Sequence, residues 1–250
     1  MNRLDYLIEY LLKEDPKYSE IQIPESIGEK RNLFRALCNV REPKPIGEEF
    51  LRLQDEELQA QLQEKGIVQL SEAQGLQIWQ GDITRLKVDA IVNAANSRML
   101  GCFHPLHKCI DNAIHSAAGV QLREECNRLM LRQGNEEPTG QAKITPAFNL
   151  PCKYVLHTVG PIVQGQLTKE HEELLESCYR SCLDLADRNG VKSIAFCCIS
   201  TGVFMFPNER AAEIAVQIVR NYRKEHGDGI EVIFNVWKDI DYEIYRQLLG

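Results

Sequence analysis

Cys102, His107 and Cys109 place two thiols and an imidazole within eight residues, in the stretch GCFHPLHKCIDNAIH from Gly101 to His115, with His104 as a further group of the same kind. Soft donors of this type select zinc over magnesium or calcium, which prefer oxygen, although softness alone leaves iron and copper open. A structural zinc site is closed by four protein ligands, commonly as two separated pairs, whereas three ligands leave a position for water or substrate. The cluster therefore reads as a substrate-touching metal site. Beside that reading stands a closed one, in which His104 completes a Cys/His site that only stiffens the loop.

A second group of residues suits a phosphate. Ser200-Thr201-Gly202-Val203-Phe204 joins the apolar run SIAFCCIS to a helix whose first turn is marked by Pro207, a residue favoured there because its missing N–H is not needed. In a strand, glycine loop, helix geometry, free N–H groups and the positive end of the helix dipole can hold an anion, and Gly202 permits close approach. The same residues taken alone also fit an ordinary turn. His115, in HSAAG, and His157, in YVLHTV, read as hydrogen-bonded buried histidines rather than bases. Asp111, two residues past Cys109 at the expected start of a helix, reads as a cap whose carboxylate complements the dipole.

These groups need a scaffold. From Leu76 onward strands and helices alternate: LQIWQ, DAIVNA, a helix from about Asp111 to Leu131, and short strands near Lys143–Thr145 and Lys153–Thr158. Then come a helix over Lys169–Asn189, the strand SIAFCCI, a helix after Pro207, the strand IEVIFNVW and a final helix DYEIYRQLL. Such alternation predicts an α/β fold, a three-layer α/β/α sandwich with a mixed, largely parallel sheet. Ligands on such sheets sit where loops leave the carboxyl ends of strands. Residues 1–75 read as an N-terminal helical extension and 76–250 as the sheet-bearing domain. In the extension Leu4, Leu7, Ile8, Leu11 and Leu12 recur at helical spacing, Leu33, Phe34 and Leu37 follow a turn at Ser26–Glu29, and EEFLRLQDEELQAQLQEKG stops at Gly66. The extension carries no recognisable chemistry and is expected to cover one face or edge of the sheet.

Composition narrows the function. The 250 residues are 44% apolar, and 29 basic against 36 acidic side chains leave a formal charge of −7, which argues against nucleic acid or another polyanion held by lysines and arginines. A phosphate would be held by backbone N–H groups. No apolar run approaches the roughly 20 residues that span a bilayer, and the first residues lack a leader's cleavage site, so a cytoplasmic protein without a membrane partner is expected. Nine cysteines exclude a complete disulfide framework; Cys197 and Cys198 read as small hydrophobes in a buried strand, and Cys178 and Cys182, one helical turn apart, as packing residues.

The strings GDIT at Gly81, VDAIVNAAN at Val88, IHSAAG at Ile114, AKITPAFNLPCKYVLHTVGP at Ala142 and ISTGVF at Ile199 follow in the order and spacing of the macrodomains, the ADP-ribose-binding fold, which the chain resembles from about residue 76 to 248. For matching positions the resemblance implies that Asp82 accepts from the adenine amino group, the Ile83 N–H supports the nucleotide and Asn96 reaches the distal ribose. Ser200, Thr201, Gly202, Val203 and Phe204 would wrap the diphosphate. Where hydrolytic macrodomains follow NAAN with a glycine run and VDG, this chain is about five residues longer and carries ligand-type residues instead. That variant resembles the zinc-dependent macrodomains, a microbial subgroup often encoded beside a class M sirtuin and a lipoyl-carrier protein. By that match Zn2+ is held by Cys102, His107 and Cys109, His104 falls on a variable position, and Asp111 lies near the distal ribose. Met205 stands where related loops often carry glycine. The implied activity is removal of mono-ADP-ribose from a modified protein, through an aspartate- or glutamate-linked ester, with Asn96, Asp111 and the metal ligands as the catalytic set and a lipoyl-carrier protein of the glycine-cleavage H type as candidate substrate. A reader module that binds without cleaving and an O-acetyl-ADP-ribose deacetylase are the alternatives.

Overall fold

The computed structural model describes residues 2–70 and 75–250; residues 71–74, at the expected join between extension and sheet-bearing domain, lie outside the described residues. Three helices come first: α1 (Arg3–Glu14), α2 (Ile27–Val40) and α3 (Glu48–Lys65). Each boundary has a local cause. Asn2 caps α1 by accepting the Leu4 N–H, Ser26 caps α2 by accepting the Glu29 N–H, and Gly66, at φ +79°, ends α3. Their apolar stripes meet in a core of their own, with Leu4, Leu7, Ile8 and Leu11 of α1 against Phe34, Leu37, Phe50 and Leu58. Leu12 and Leu33 lie at its edge.

Six strands form one sheet: β1 (Leu76–Gln80), β2 (Ala90–Ala95), β3 (Ala142–Pro146), β4 (Tyr154–Val159), β5 (Ser193–Phe196) and β6 (Glu231–Val236). Their order is β1-β6-β5-β2-β4-β3, all pairs parallel except β3 with β4. The sheet is thus mixed and mostly parallel, as expected. Between the strands run α4 (Ile110–Ala118), α5 (Val120–Gln133), α6 (Lys169–Arg188), α7 (Asn208–His226) and α8 (Asp239–Leu249). α6, α7 and α8 pack side by side, α4 lies against β2, and α2 packs on α4. The central strands are apolar runs because both their faces are covered. Cys178, Cys182 and Cys197 are buried among them, as read from the sequence, with Cys198 partly buried. Among the described residues no helix is long and apolar enough to cross a membrane.

Three elements differ from expectation. The single helix over 111–131 is two helices, broken at Gly119, whose φ is +96°; a Cβ there would lie 2.5 Å from Gln121 Oε1 and 2.7 Å from Gln54 Nε2. Gln54, on α3, accepts the Val120 N–H at 3.0 Å and so caps α5. The strand SIAFCCI ends at Phe196, because the Thr201 hydroxyl takes the Cys198 carbonyl and Ser200 turns the chain at φ +64°. Pro207 is not within the first turn of α7 but is the residue just before it.

Candidate metal and nucleotide cleft

Strands β2 and β5 are parallel neighbours, so the loops after Ala95 and after Phe196 leave the same end of the sheet. A cleft of about 450 Å³ opens there, and Asn96, Cys102, His107, Cys109, Asp111, Val203 and Phe204 all line it. Asn96 organises its entrance: Nδ2 donates to the Gly101 carbonyl at 3.1 Å and faces Asp111 Oδ2 at 3.4 Å, while Oδ1 accepts the Arg98 N–H. The chain turns through Met99 at φ +62° and Gly101 at φ +78°. A Cβ at Gly101 would sit 2.9 Å from the His115 ring, so this position requires glycine.

The donor atoms of Cys102, His107 and Cys109 lie within 4.8 Å of one another. Cys102 Sγ and His107 Nδ1 are 3.6 Å apart. Sulfur and nitrogen ligands of one tetrahedral zinc, at ~2.3 and ~2.0 Å, are about 3.5 Å from each other, so the three residues fit that ion. His104 is exposed and contributes no donor to the group. Cys109 Sγ accepts the Asn112 N–H at 3.4 Å and thereby caps α4. Burial pushes the Cys109 thiol up to about 11 against the pull of that N–H, and Cys102 and Asp111 add to the rise; a bound dication reverses such a balance by deprotonating coordinating thiols.

The cap expected of Asp111 is therefore supplied by Cys109, and Asp111 turns inward, 5% exposed. Its Oδ1 accepts from Asn93 Nδ2 at 2.8 Å and lies 3.5 Å from His115 Nε2. Burial raises its carboxyl to about 6, opposed by the bonds from Asn93 and Asn96. Asn93 was missed by sequence reasoning, although one amide in the apolar strand AIVNAA is a readable signal. His157 is buried and hydrogen-bonded as expected, to Asn93 and Thr145. His115 departs from expectation: it is buried, but among the described residues neither ring nitrogen has a hydrogen-bond partner, its neighbours being the Asp111 carboxylate, 3.5 Å from Nε2, and the Gly101 backbone.

On the β5 loop, the Met205 and Phe206 N–H groups turn back on the Gly202 and Ser200 carbonyls. The N–H groups of Thr201, Gly202, Val203 and Phe204 donate to no acceptor among the described residues. Nothing lies within 4 Å of where a Cβ of Gly202 would stand. Ser200 is buried, its hydroxyl without a hydrogen-bond partner among the described residues. Asp82 and Ile83 are not among the residues that line this cleft. Asp82 Oδ1 is occupied by the Thr84 N–H and hydroxyl, and its Oδ2 lies 3.9 Å from Lys65 Nζ. Asp82 borders a second cavity of about 480 Å³ between α2, α3 and α4, which Arg35, Lys65 and Ser116 also line. The Ile83 N–H donates to no group among the described residues. Beside the Asp82 turn stands Trp237, 72% exposed, its carbonyl accepting from Gln80 Nε2.

A mostly parallel sheet with N–H-lined and ligand-bearing loops at one end defines an α/β protein built to hold a ligand at the carboxyl ends of its strands. The chain belongs to the Macro domain family, which matches residues 92–215. A Treponema medium protein named protein-ADP-ribose hydrolase is 55% identical over 253 residues, covering 98% of this chain and 97% of that one. A Staphylococcus aureus (strain MSSA476) protein of the same name is 45% identical over 251 residues, covering 98% and 94%. The Oceanobacillus iheyensis macrodomain with ADP superposes at a TM-score of 0.63 and 40% identity, over 69% of this chain and 88% of that one. The Trypanosoma brucei macrodomain in complex with ADP-ribose reaches a TM-score of 0.67 at 30% identity, over 91% and 97%.

Proposed function

We propose that this protein is a zinc-dependent hydrolase that releases ADP-ribose from modified protein side chains, acting on an ester to aspartate or glutamate, in the cytoplasm. The observation that carries this reading is the convergence of three soft donors, Asn96 and Asp111 in one cleft beside four backbone N–H groups that donate to no acceptor among the described residues. The names of the Treponema and Staphylococcus relatives support the reaction class.

The residues divide the work. Thr201 to Phe204 hold the diphosphate by backbone N–H groups, which suits a chain of net charge −7. Asp82 and Ile83 take the adenine, and Asn96 the distal ribose. Cys102, His107 and Cys109 would hold the zinc, which supplies Lewis-acid polarisation of an oxygen ligand when bound. Asp111 Oδ2, with only the 3.4 Å approach of Asn96 Nδ2 among the described residues, is the oxygen available to accept from water or a ribose hydroxyl. Hydrolysis adds water across the bond from the anomeric carbon to the carboxylate oxygen; the hydroxyl stays on ribose and the proton leaves with the side-chain carboxyl. A lipoyl-carrier protein modified with mono-ADP-ribose is the first substrate to try, with O-acetyl-ADP-ribose in parallel.

The test follows release of ADP-ribose from an ester-modified protein, with and without a strong chelator. Loss of release on chelation and recovery with zinc is the expected result. Release that ignores the chelator removes the metal from the reaction, and tight ADP-ribose binding with no release makes the protein a reader.

A further inference from the structure

The N-terminal helices reach into the metal loop. Asn39 on α2, 2% exposed, accepts the Leu106 N–H at 3.0 Å through Oδ1 and donates to Ser116 Oγ at 3.0 Å through Nδ2. Arg35, one turn earlier, donates to the His107 carbonyl at 3.2 Å, to Asn112 Oδ1 at 2.6 Å and to Ser116 Oγ at 3.2 Å. At the loop's other end the buried Arg123 donates to the Leu100 carbonyl at 2.6 Å and lies 4.2 Å from the centre of the Phe103 ring. The same guanidinium donates to the Cys38 and Arg41 carbonyls at the end of α2, at 2.9 and 2.6 Å.

The loop that carries Cys102, His107 and Cys109 is thus fastened to α2 at both ends. Leu106, immediately before a ligand, is held at φ +55°, a conformation that a leucine adopts only where its surroundings impose it. The turn closed by the His107 N–H on the His104 carbonyl, at 3.2 Å, places it there, and the Asn39 bond to the Leu106 N–H and the Arg35 bond to the His107 carbonyl hold that turn against α2. A loop left to itself would lose conformational entropy on closing round an ion; one already fastened loses less.

We propose that Asn39 and Arg35 are positioning residues that pre-form the zinc site, making the N-terminal helices part of the metal centre and not only a cover for the sheet. The proposal rests on the zinc reading given above. Its test is the zinc dissociation constant of the full chain, measured by competition with a chromophoric chelator. Partners that orient metal ligands typically contribute 10–100-fold in affinity, so Asn39→Ala and Arg35→Ala should each bind zinc about 10-fold or more weakly. Arg3→Ala removes an α1–α3 ion pair, Arg3 to Glu57 at 2.7 Å, without touching the loop, and should bind zinc like the wild type while melting lower. Zinc bound within twofold of wild type by Asn39→Ala, shown folded by circular dichroism, overturns the proposal and leaves the metal reading standing. A wild-type chain that takes up no zinc overturns the metal reading itself.

Discussion

Among the described residues two trios of cysteine and histidine occur, Cys102–His107–Cys109 at the cleft and His115–Cys126–His157 in the interior, each with its donor atoms inside 4.8 Å. Residue type and spacing do not separate them. What separates them is how the lone pairs are used. In the interior trio Asn93 Nδ2, its orientation fixed by the Asp111 carboxylate, donates to His157 Nδ1 at 3.2 Å. The other nitrogen, Nε2, therefore carries the proton and donates to Thr145 Oγ1 at 3.0 Å. Burial holds His157 down to about 3 and pushes the Cys126 thiol far up, so that trio offers no thiolate and has both His157 nitrogens engaged, which leaves His115, buried with its own ring nitrogens unpartnered among the described residues, as its one idle imidazole. At the cleft the sulfurs and the imidazole are half-buried and border an open volume. On the proposed zinc reading the ion belongs to the trio whose three donors border the cleft.

The strongest way to break this contrast is to delete one thiol from each trio. Cys109→Ala is expected to reduce zinc from one per chain to almost none and to slow ADP-ribose release on the order of 10³-fold, the equivalent of about 4 kcal/mol of charge stabilisation; Cys126→Ala should keep its zinc. Metal analysis of both variants decides, and zinc lost from Cys126→Ala would invert the comparison. Next in size, Asp111→Asn should lower single-turnover release by about 10²–10⁴-fold, the usual contribution of a positioned acid or base, with zinc content unchanged.

The interior histidines carry their own test in acid. Both have folded pKa values depressed by burial, His157 to about 3 and His115 well below its ordinary value. For His157 the unfolded chain therefore binds a proton that the folded chain refuses between about pH 6.5 and 3, and for His115 the same holds as pH falls below about 6.5, so stability falls as pH falls, by up to about 1.4 kcal/mol per pH unit for each histidine. Urea midpoints measured from pH 7 to 5 should drop, and His157→Gln should flatten the slope; equal slopes in the two proteins would show that His157 is not held neutral. The smallest effect is expected of Thr145→Val, about 1–2 kcal/mol of stability from an unsatisfied Nε2–H, with zinc affinity untouched.

The alternation of strands and helices was legible because each central strand is apolar on both faces, and the cleft residues because their loops follow those strands. The break at Gly119 was not, since the apolar spacing runs on through SAAGVQL and its cause, Gln54, lies on a helix far back in the chain. Cys109 and Asp111 are both near the start of α4, and only the direction of the cleft decides that sulfur caps while the carboxylate turns in. Asn39 and Arg35 were illegible for another reason. In the sequence they look like the solvated side of an amphipathic helix, and nothing local says that a loop seventy residues on will cover them.

Val120, the first residue of α5, lies in the apolar core of the N-terminal helices. During synthesis those helices emerge early, but this member of their core arrives only after the loop of Cys102, His107 and Cys109 and α4 have been made. Through Val120 and the Arg123 bonds to the Cys38 and Arg41 carbonyls, the last-made part of that core is also what ties the helices to the sheet-bearing domain.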